Sequence, residues 1–123
     1  IWECIEKFED VFNIDPKRKY ITGHSMGGFG AWYLAEKSVN KWAGLGIHAG
    51  ALWYEIGLVS EEVAEKFKNL PTYFVCGTND GLLSINQTAY HLLKDAGNPT
   101  VEFVTFSEDT NILPVMLKTC ICG

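Results

Sequence analysis

No stretch of this sequence is apolar for long enough to cross a membrane, since a spanning helix needs about 20 consecutive apolar residues. Positive charge is also scarce: 10 lysines and arginines stand against 15 aspartates and glutamates, which gives a net charge of −5. Such a chain is repelled by phosphate backbones and by anionic lipids. We therefore expect neither a membrane nor a nucleic acid as partner. The first residues lack the pattern of a signal peptide, and the compartment stays open.

Cysteine and histidine are both sparse. The four cysteines form no recognisable framework, because Cys120 and Cys122 are too close together and too few for a zinc site. Cys76 lies in an apolar run and is expected to be a small buried side chain. The sequence thus implies no metal and no organic cofactor. Histidine occurs only at positions 24, 48 and 91.

The remaining composition is that of one globular domain. Hydrophobic residues make up 47% of the 123 residues and charged residues 20%, which is enough for a core at this length. Apolar periodicity and turn residues predict the order α-β-α-β-α-β-α-β. This order predicts a single α/β domain over residues 1–123, a three-layer αβα sandwich with a mostly parallel sheet and right-handed crossovers.

Two of the predicted helices carry local signals. Trp2, Ile5, Phe8 and Phe12 are spaced as one apolar stripe, which predicts an amphipathic helix over residues 2–12 with that stripe buried. The segment Ser84-Ile85-Asn86-Gln87 has the pattern of a capping box, so a helix is predicted to begin with its serine as the N-cap.

The segment from Tyr20 to Gly30 is the most informative part of the chain. A β-favouring run leads into Gly23-His24-Ser25-Met26-Gly27, and a helix-compatible run follows. These five residues fit G-x-S-x-G, in which a serine occupies a sharp turn between a strand and a helix. The turn would lift the hydroxyl of Ser25 clear of the sheet, near the positive end of the helix. The alternative is a glycine-rich βα turn of some other doubly wound protein.

The glycines around this serine have a steric explanation. A strand and a helix can pass so closely only where side chains are absent. We therefore expect Gly27, Gly28 and Gly30 to form a smooth side of the helix that lies against the sheet.

Further polar residues are predicted to reach the same edge of the sheet. In open parallel sheets, ligands bind outside the carboxyl ends of the strands. Ser25, His48, Asp80 and the segment after Phe106 all fall at such ends. We expect them to lie on one rim, although the Asn-Asp-Gly setting of Asp80 is also typical of a plain turn.

Two segments resemble a known family. Residues 14–28, with the motif above, closely resemble the elbow region of the α/β-hydrolases, and residues 75–80 resemble the loop after their seventh strand that carries the catalytic acid. The nearest branch is similar to the esterases and predicted peptidases that include feruloyl esterases and polyhydroxybutyrate depolymerases. The resemblance runs from about residue 5 to residue 106. It implies a serine hydrolase that cleaves a carboxylic ester, in a small molecule or a polymer, through an acyl-enzyme.

The resemblance also implies roles for individual residues. In the family a serine attacks the acyl carbon, a histidine removes the serine proton, and an aspartate orients the histidine. By this correspondence Ser25 is the nucleophile, Asp80 is the acid, and the backbone N–H of Met26 is one oxyanion donor.

Three further residues are candidates for the pocket. His24 fills the variable position of the motif and is expected to point away from the cleft. His48 lies on the rim, as a pocket-lining or structural histidine or as a stand-in base. Trp53, in the loop after His48, is either an acyl or aryl pocket wall or ordinary core.

Two departures from the family pattern limit this interpretation. The base histidine should follow the last strand, where Asn111 stands instead, and no histidine lies downstream. The family's earlier strands, with the loop that supplies the second oxyanion donor, are also missing. We therefore expect the elbow strand to be a sheet edge and the chain to be part of a larger hydrolase domain. A serine peptidase and a non-catalytic hydrolase-like binding module remain as alternatives.

Overall fold

A computed structural model describes residues 1–50 and 60–107 of the chain. Its sheet contains the parallel strands β1 (Tyr20–His24), β2 (Gly44–His48), β3 (Thr72–Gly77) and β4 (Glu102–Phe106), in the order β1-β2-β3-β4. The helices are α1 (Trp2–Val11), α2 (Met26–Lys37), α3 (Glu61–Lys66) and α4 (Leu83–Asp95), with a short 3-10 turn at Val39–Lys41. The predicted α/β class, with a parallel sheet and flanking helices, is confirmed.

The core lies on one face of the central strands β2 and β3. All five residues of β2 are buried, as its uncharged sequence indicates for a strand covered on both faces. Ile47 and Phe74 are register partners and share the core face. There Trp32 of α2 stacks on Phe67 with ring centroids 4.5 Å apart, and Leu93 of α4 completes the cluster. This core fixes the carboxyl ends of the central strands, where the candidate site lies.

The start of α3 agrees with the sequence, and that of α4 does not. The hydroxyl of Ser60 accepts a hydrogen bond from the backbone N–H of Val63, as expected of an N-cap. In α4 the N-cap is Leu82, two residues before Ser84, and no side chain caps the helix through the predicted box. The reason is local: Asp80 Oδ1 accepts from the N–H of Leu82, and the carbonyl of Asp80 accepts from Leu83. These bonds begin the helical turn earlier.

Helix α1 forms as predicted, but its apolar stripe is not buried. Phe8 and Phe12 are 58% and 55% exposed and stack on each other at 5.7 Å. At the other end Trp2 packs on Trp42 at 5.3 Å. The prediction of a buried stripe was wrong because no described residue packs over this part of α1. None of the described helices is long and apolar enough to span a bilayer.

Candidate active site

Ser25 lies at a sharp bend between β1 and α2. Its backbone has φ 51° and ψ −119°, a left-handed conformation that costs a non-glycine residue about 1–3 kcal/mol. The N–H of Ser25 donates to the carbonyl of His48 over 2.8 Å, and its own carbonyl accepts from Gly28 and Phe29. The backbone of the bend is therefore held in place by hydrogen bonds on both sides.

The hydroxyl of Ser25 is not used to stabilise the helix. Serine at an N-cap normally accepts a hydrogen bond from the second or third helical N–H, but Ser25 makes no such bond. The residue is also exposed. The unusual backbone angles thus present a free hydroxyl at the carboxyl end of β1, as predicted for this bend.

Two glycines make the bend possible. A Cβ on Gly23 would lie 2.0 Å from the carbonyl oxygen of Gly27, and a Cβ on Gly28 would lie 2.9 Å from the Cα of Gly50. Real Cβ atoms do not approach backbone atoms so closely. The strand and the helix therefore pass each other at a distance that only glycine permits.

The predicted smooth side of α2 is only partly correct. No described atom outside the backbone of α2 lies within 4 Å of a Cβ built on Gly27 or on Gly30, so of the three glycines only Gly28 makes the close approach. Gly30 instead lines an open apolar depression of about 280 Å³ together with Met26, Phe29 and Tyr33. These four residues follow the i, i+3, i+4, i+7 spacing of one helix face, which is turned away from the sheet.

The chain after His48 packs against the bend at Ser25, and this contact was not predicted from the sequence. Ala49 has φ 47° and donates its N–H to the carbonyl of Val75 over 2.7 Å. A Cβ on the next residue, Gly50, would lie 2.4 Å from the carbonyl oxygen of Ser25. A glycine directly after a buried strand is a signal of close backbone approach, and it could have pointed to this contact.

The backbone N–H of Met26 is the predicted oxyanion donor. It is the first N–H of α2, so it has no acceptor within the helix, and the helix dipole adds positive potential there. Residue Met26 is 81% exposed. The geometry is consistent with the predicted donor role, which stays a prediction.

His24 and His48 are register partners on the same face of neighbouring strands. His24 is exposed, whereas His48 is only 2% exposed. The Nδ1 atom of His48 is buried and has no hydrogen-bond partner among the described residues. Within the described ranges, neither imidazole is hydrogen-bonded to Ser25 or to Asp80. His91 is exposed on α4.

Burial of His48 leads to a prediction about pH. Desolvation, and secondly the neighbouring His24, lower the pKa of His48 below its usual 6.5. The fold thus favours the neutral imidazole, and its contribution to stability is present above the unfolded-state pKa and is lost as pH falls through the lower folded-state pKa. We expect the free energy of unfolding in urea to decrease from about pH 7 to about pH 5. His48→Leu should flatten this dependence and exposed His91→Gln should preserve it; an unchanged slope in His48→Leu would contradict the prediction.

Asp80 follows the carboxyl end of β3. Its Oδ1 accepts from the N–H of Leu82 over 2.8 Å, while no described residue hydrogen-bonds to Oδ2. The Cβ of Asp80 and the ring of Phe106 both lie within 4 Å of where a Cβ on Gly77 would stand. Asp80 therefore has the turn contact that the alternative interpretation expects, and it keeps one carboxylate oxygen free.

Ser25 and Asp80 lie on the same rim, separated by one strand. Adjacent strands are about 4.8 Å apart, so the ends of β1 and β3 are about 10 Å apart. Within the described ranges, no group of three histidine, cysteine or acidic side chains could hold a metal ion. The predicted pocket residue Trp53, and Asn111, lie outside those ranges.

A strained, free serine at a strand–helix bend and an aspartate two strands away characterise the α/β-hydrolase fold. The chain belongs to the putative esterase family, whose model matches residues 5–103. This confirms the resemblance drawn from the two motifs.

Individual relatives agree with this family. The chain is 29% identical over 85 residues to a bifunctional acetylxylan esterase/xylanase of Neocallimastix patriciarum. The aligned region covers 69% of this chain and 12% of that protein. The fold of the present chain matches that of a ferulic acid esterase with a TM-score of 0.76 and 17% identity. This match covers 97% of the present chain and 56% of the esterase. The fold also matches that of the fluorophosphonate-binding serine hydrolase F of Staphylococcus aureus, with a TM-score of 0.70 and 21% identity. This match covers 98% of the present chain and 60% of the hydrolase. The chain thus spans less than two thirds of each.

Proposed function

We propose that this chain carries the nucleophile and the acid of a carboxylic ester hydrolase. The observation that carries the proposal is the free, exposed hydroxyl of Ser25 on a strained backbone that the fold maintains. Strain of this kind persists where the surrounding structure requires it, and it is concentrated at active sites. The esterase family of the chain supports an ester as the substrate.

In the proposed reaction Ser25 Oγ attacks the acyl carbon, and the serine proton passes to a base. The carbonyl oxygen becomes an oxyanion, which the N–H of Met26 stabilises. When the tetrahedral intermediate collapses, the bond to the leaving alcohol breaks and the base returns the proton to that oxygen. Water then attacks the acyl-enzyme by the same steps and releases the acid.

The base is proposed to come from outside these 123 residues. Within the described ranges, the imidazole rings of His24, His48 and His91 make no hydrogen bond with the Ser25 hydroxyl, and the ring of His48 is buried. The free oxygen of Asp80 and the gap of about 10 Å between the strand ends suit an imidazole that another part of a longer polypeptide inserts.

A fluorophosphonate probe tests whether Ser25 is activated, and the structurally similar hydrolase of Staphylococcus aureus is described as binding such compounds. We expect the folded chain to form an adduct on Ser25, identified by peptide mass, faster than the heat-denatured chain does. Ser25→Ala should show no adduct. A longer natural polypeptide that includes the base should react faster still, by about 10³-fold or more. Labelling at the denatured rate in both polypeptides would support the non-catalytic binding module instead.

The leaving group separates the esterase from the peptidase. With p-nitrophenyl acetate and a matched p-nitroanilide, we expect hydrolysis of the ester only. Comparable kcat/KM values for both would favour a serine peptidase of the same fold.

We further propose that the 123 residues are part of a larger hydrolase domain. Strand β1 is a sheet edge with alternate residues exposed. The exposed large hydrophobic side chains of the described ranges all fall within residues 1–33. They are Ile1, Phe8, Val11, Phe12, Ile14, Tyr20, Met26 and Tyr33. The exposed apolar side chains therefore belong to β1 and to its neighbours in sequence, and further parts of the same domain would cover them.

This arrangement predicts the behaviour of the isolated chain. We expect it to bind the dye ANS and to self-associate, because several large apolar side chains are exposed to water. The longer natural polypeptide should bind several-fold less dye per molecule and remain monodisperse in light scattering. Equal dye binding by the two would refute the proposed larger domain.

A further inference from the structure

Helix α4 contains a fully buried asparagine. Asn86 is 0% exposed and shares the buried face of the helix with Ala89 and Leu93. An apolar residue would be the ordinary occupant of this position. Burial of an amide costs about 1–3 kcal/mol unless its hydrogen bonds are replaced, so the contacts of Asn86 indicate what it does.

The side-chain amide of Asn86 holds the residue that begins the helix. Its Nδ2 donates to the carbonyl of Leu82 over 2.7 Å, and its backbone N–H donates to the same oxygen over 3.1 Å. The Nδ2 atom also lies 4.0 Å from Cys76 Sγ on β3. Its Oδ1 is buried without a partner. Asn86 therefore connects Leu82 to the end of the central strand.

Leu82 is the residue that holds the carboxylate of Asp80. The N–H of Leu82 donates to Asp80 Oδ1 over 2.8 Å. The contacts form a continuous chain from the Asn86 amide, through Leu82, to one oxygen of the carboxylate. The other oxygen is left to accept from a base.

We propose that Asn86 is a positioning residue for Asp80. By fixing Leu82, it holds the carboxylate in one orientation at the end of β3. The inference rests on the proposed function, in which Asp80 orients the base. Asn86 touches neither substrate nor reacting atoms and acts only through Leu82.

A double-mutant cycle in the longer polypeptide that carries the base tests the proposal, with kcat and KM for p-nitrophenyl acetate as the readout. Asn86→Leu keeps the branched shape of the side chain and removes the amide, and Gln87→Leu, at the next and exposed position, is the matched control. We expect Asn86→Leu to lower kcat about 10-fold, since small misplacements cost up to about 10², with KM unchanged. In an Asp80→Asn background it should have no further effect. Additive losses, or an unchanged kcat, would overturn the proposal.

A serine at this position separates positioning from packing. Serine can donate to the carbonyl four residues earlier, so Asn86→Ser should recover part of the lost kcat. It leaves a cavity and should be less stable than Asn86→Leu in urea. If kcat instead follows stability, so that Asn86→Leu is the more active, the role of Asn86 is structural.

Amide hydrogen exchange provides a readout that does not depend on turnover. The N–H of Leu82 should exchange at least several-fold faster in Asn86→Leu than in Gln87→Leu, and unchanged exchange would overturn the positioning role. A different result refutes the proposed function instead: Asp80→Asn with full kcat would show that Asp80 is not the acid, whatever the exchange of Leu82.

Discussion

Replacement of Ser25 by alanine is expected to remove ester hydrolysis by the longer polypeptide that carries the base. Loss of the nucleophile of a complete triad lowers kcat by about 10⁶. Asp80→Asn should lower kcat by about 10⁴, as for an acid that orients the base. Rates with p-nitrophenyl acetate, measured at saturating substrate, check both values.

The matched control is Ser84→Ala. Ser84 is exposed in the first turn of α4 and does not cap the helix, so its removal should leave kcat unchanged. If Ser25→Ala keeps a rate within about 10-fold of the parent, the hydrolysis is not nucleophilic catalysis at this serine. Equal losses from Ser25→Ala and Ser84→Ala would indicate a general loss of structure.

Features set by local spacing could be predicted from the sequence. The order of strands and helices follows from apolar periodicity, and the bend at Ser25 follows from the G-x-S-x-G spacing of Gly23, Ser25 and Gly27. The position of Asp80 after β3 follows from the rule that parallel strands present their carboxyl ends on one edge. Each of these signals is contained within a few consecutive residues.

Features that depend on particular contacts, and not on residue spacing, could not be predicted. Phe8 and Phe12 have the spacing of a buried stripe, but burial depends on a partner that periodicity does not reveal. Ser84 has the pattern of a cap, but Asp80 reaches the first helical N–H groups earlier. The buried contact of Asn86 with Cys76 is visible only once α4 lies against β3.

The bend itself yields the largest expected effect on stability. In Gly23→Ala the new Cβ would lie 2.0 Å from the oxygen and 2.3 Å from the carbon of the Gly27 carbonyl. Both are backbone atoms, so no side-chain rotation relieves the clash, and β1 and α2 must separate. We expect a loss of at least about 3 kcal/mol in the free energy of urea unfolding, together with loss of fluorophosphonate labelling at Ser25.

Gly27→Ala and Gly30→Ala provide matched controls in the same segment. No described atom lies within 4 Å of either added Cβ, and an alanine in a helix is about 0.5–1 kcal/mol more favourable than a glycine. The same chemical change should therefore lower the stability of the protein at position 23. At positions 27 and 30 it should leave the stability unchanged or raise it. If all three variants lose stability equally, the close passage of strand and helix is not what requires glycine, and the strained serine would need another explanation.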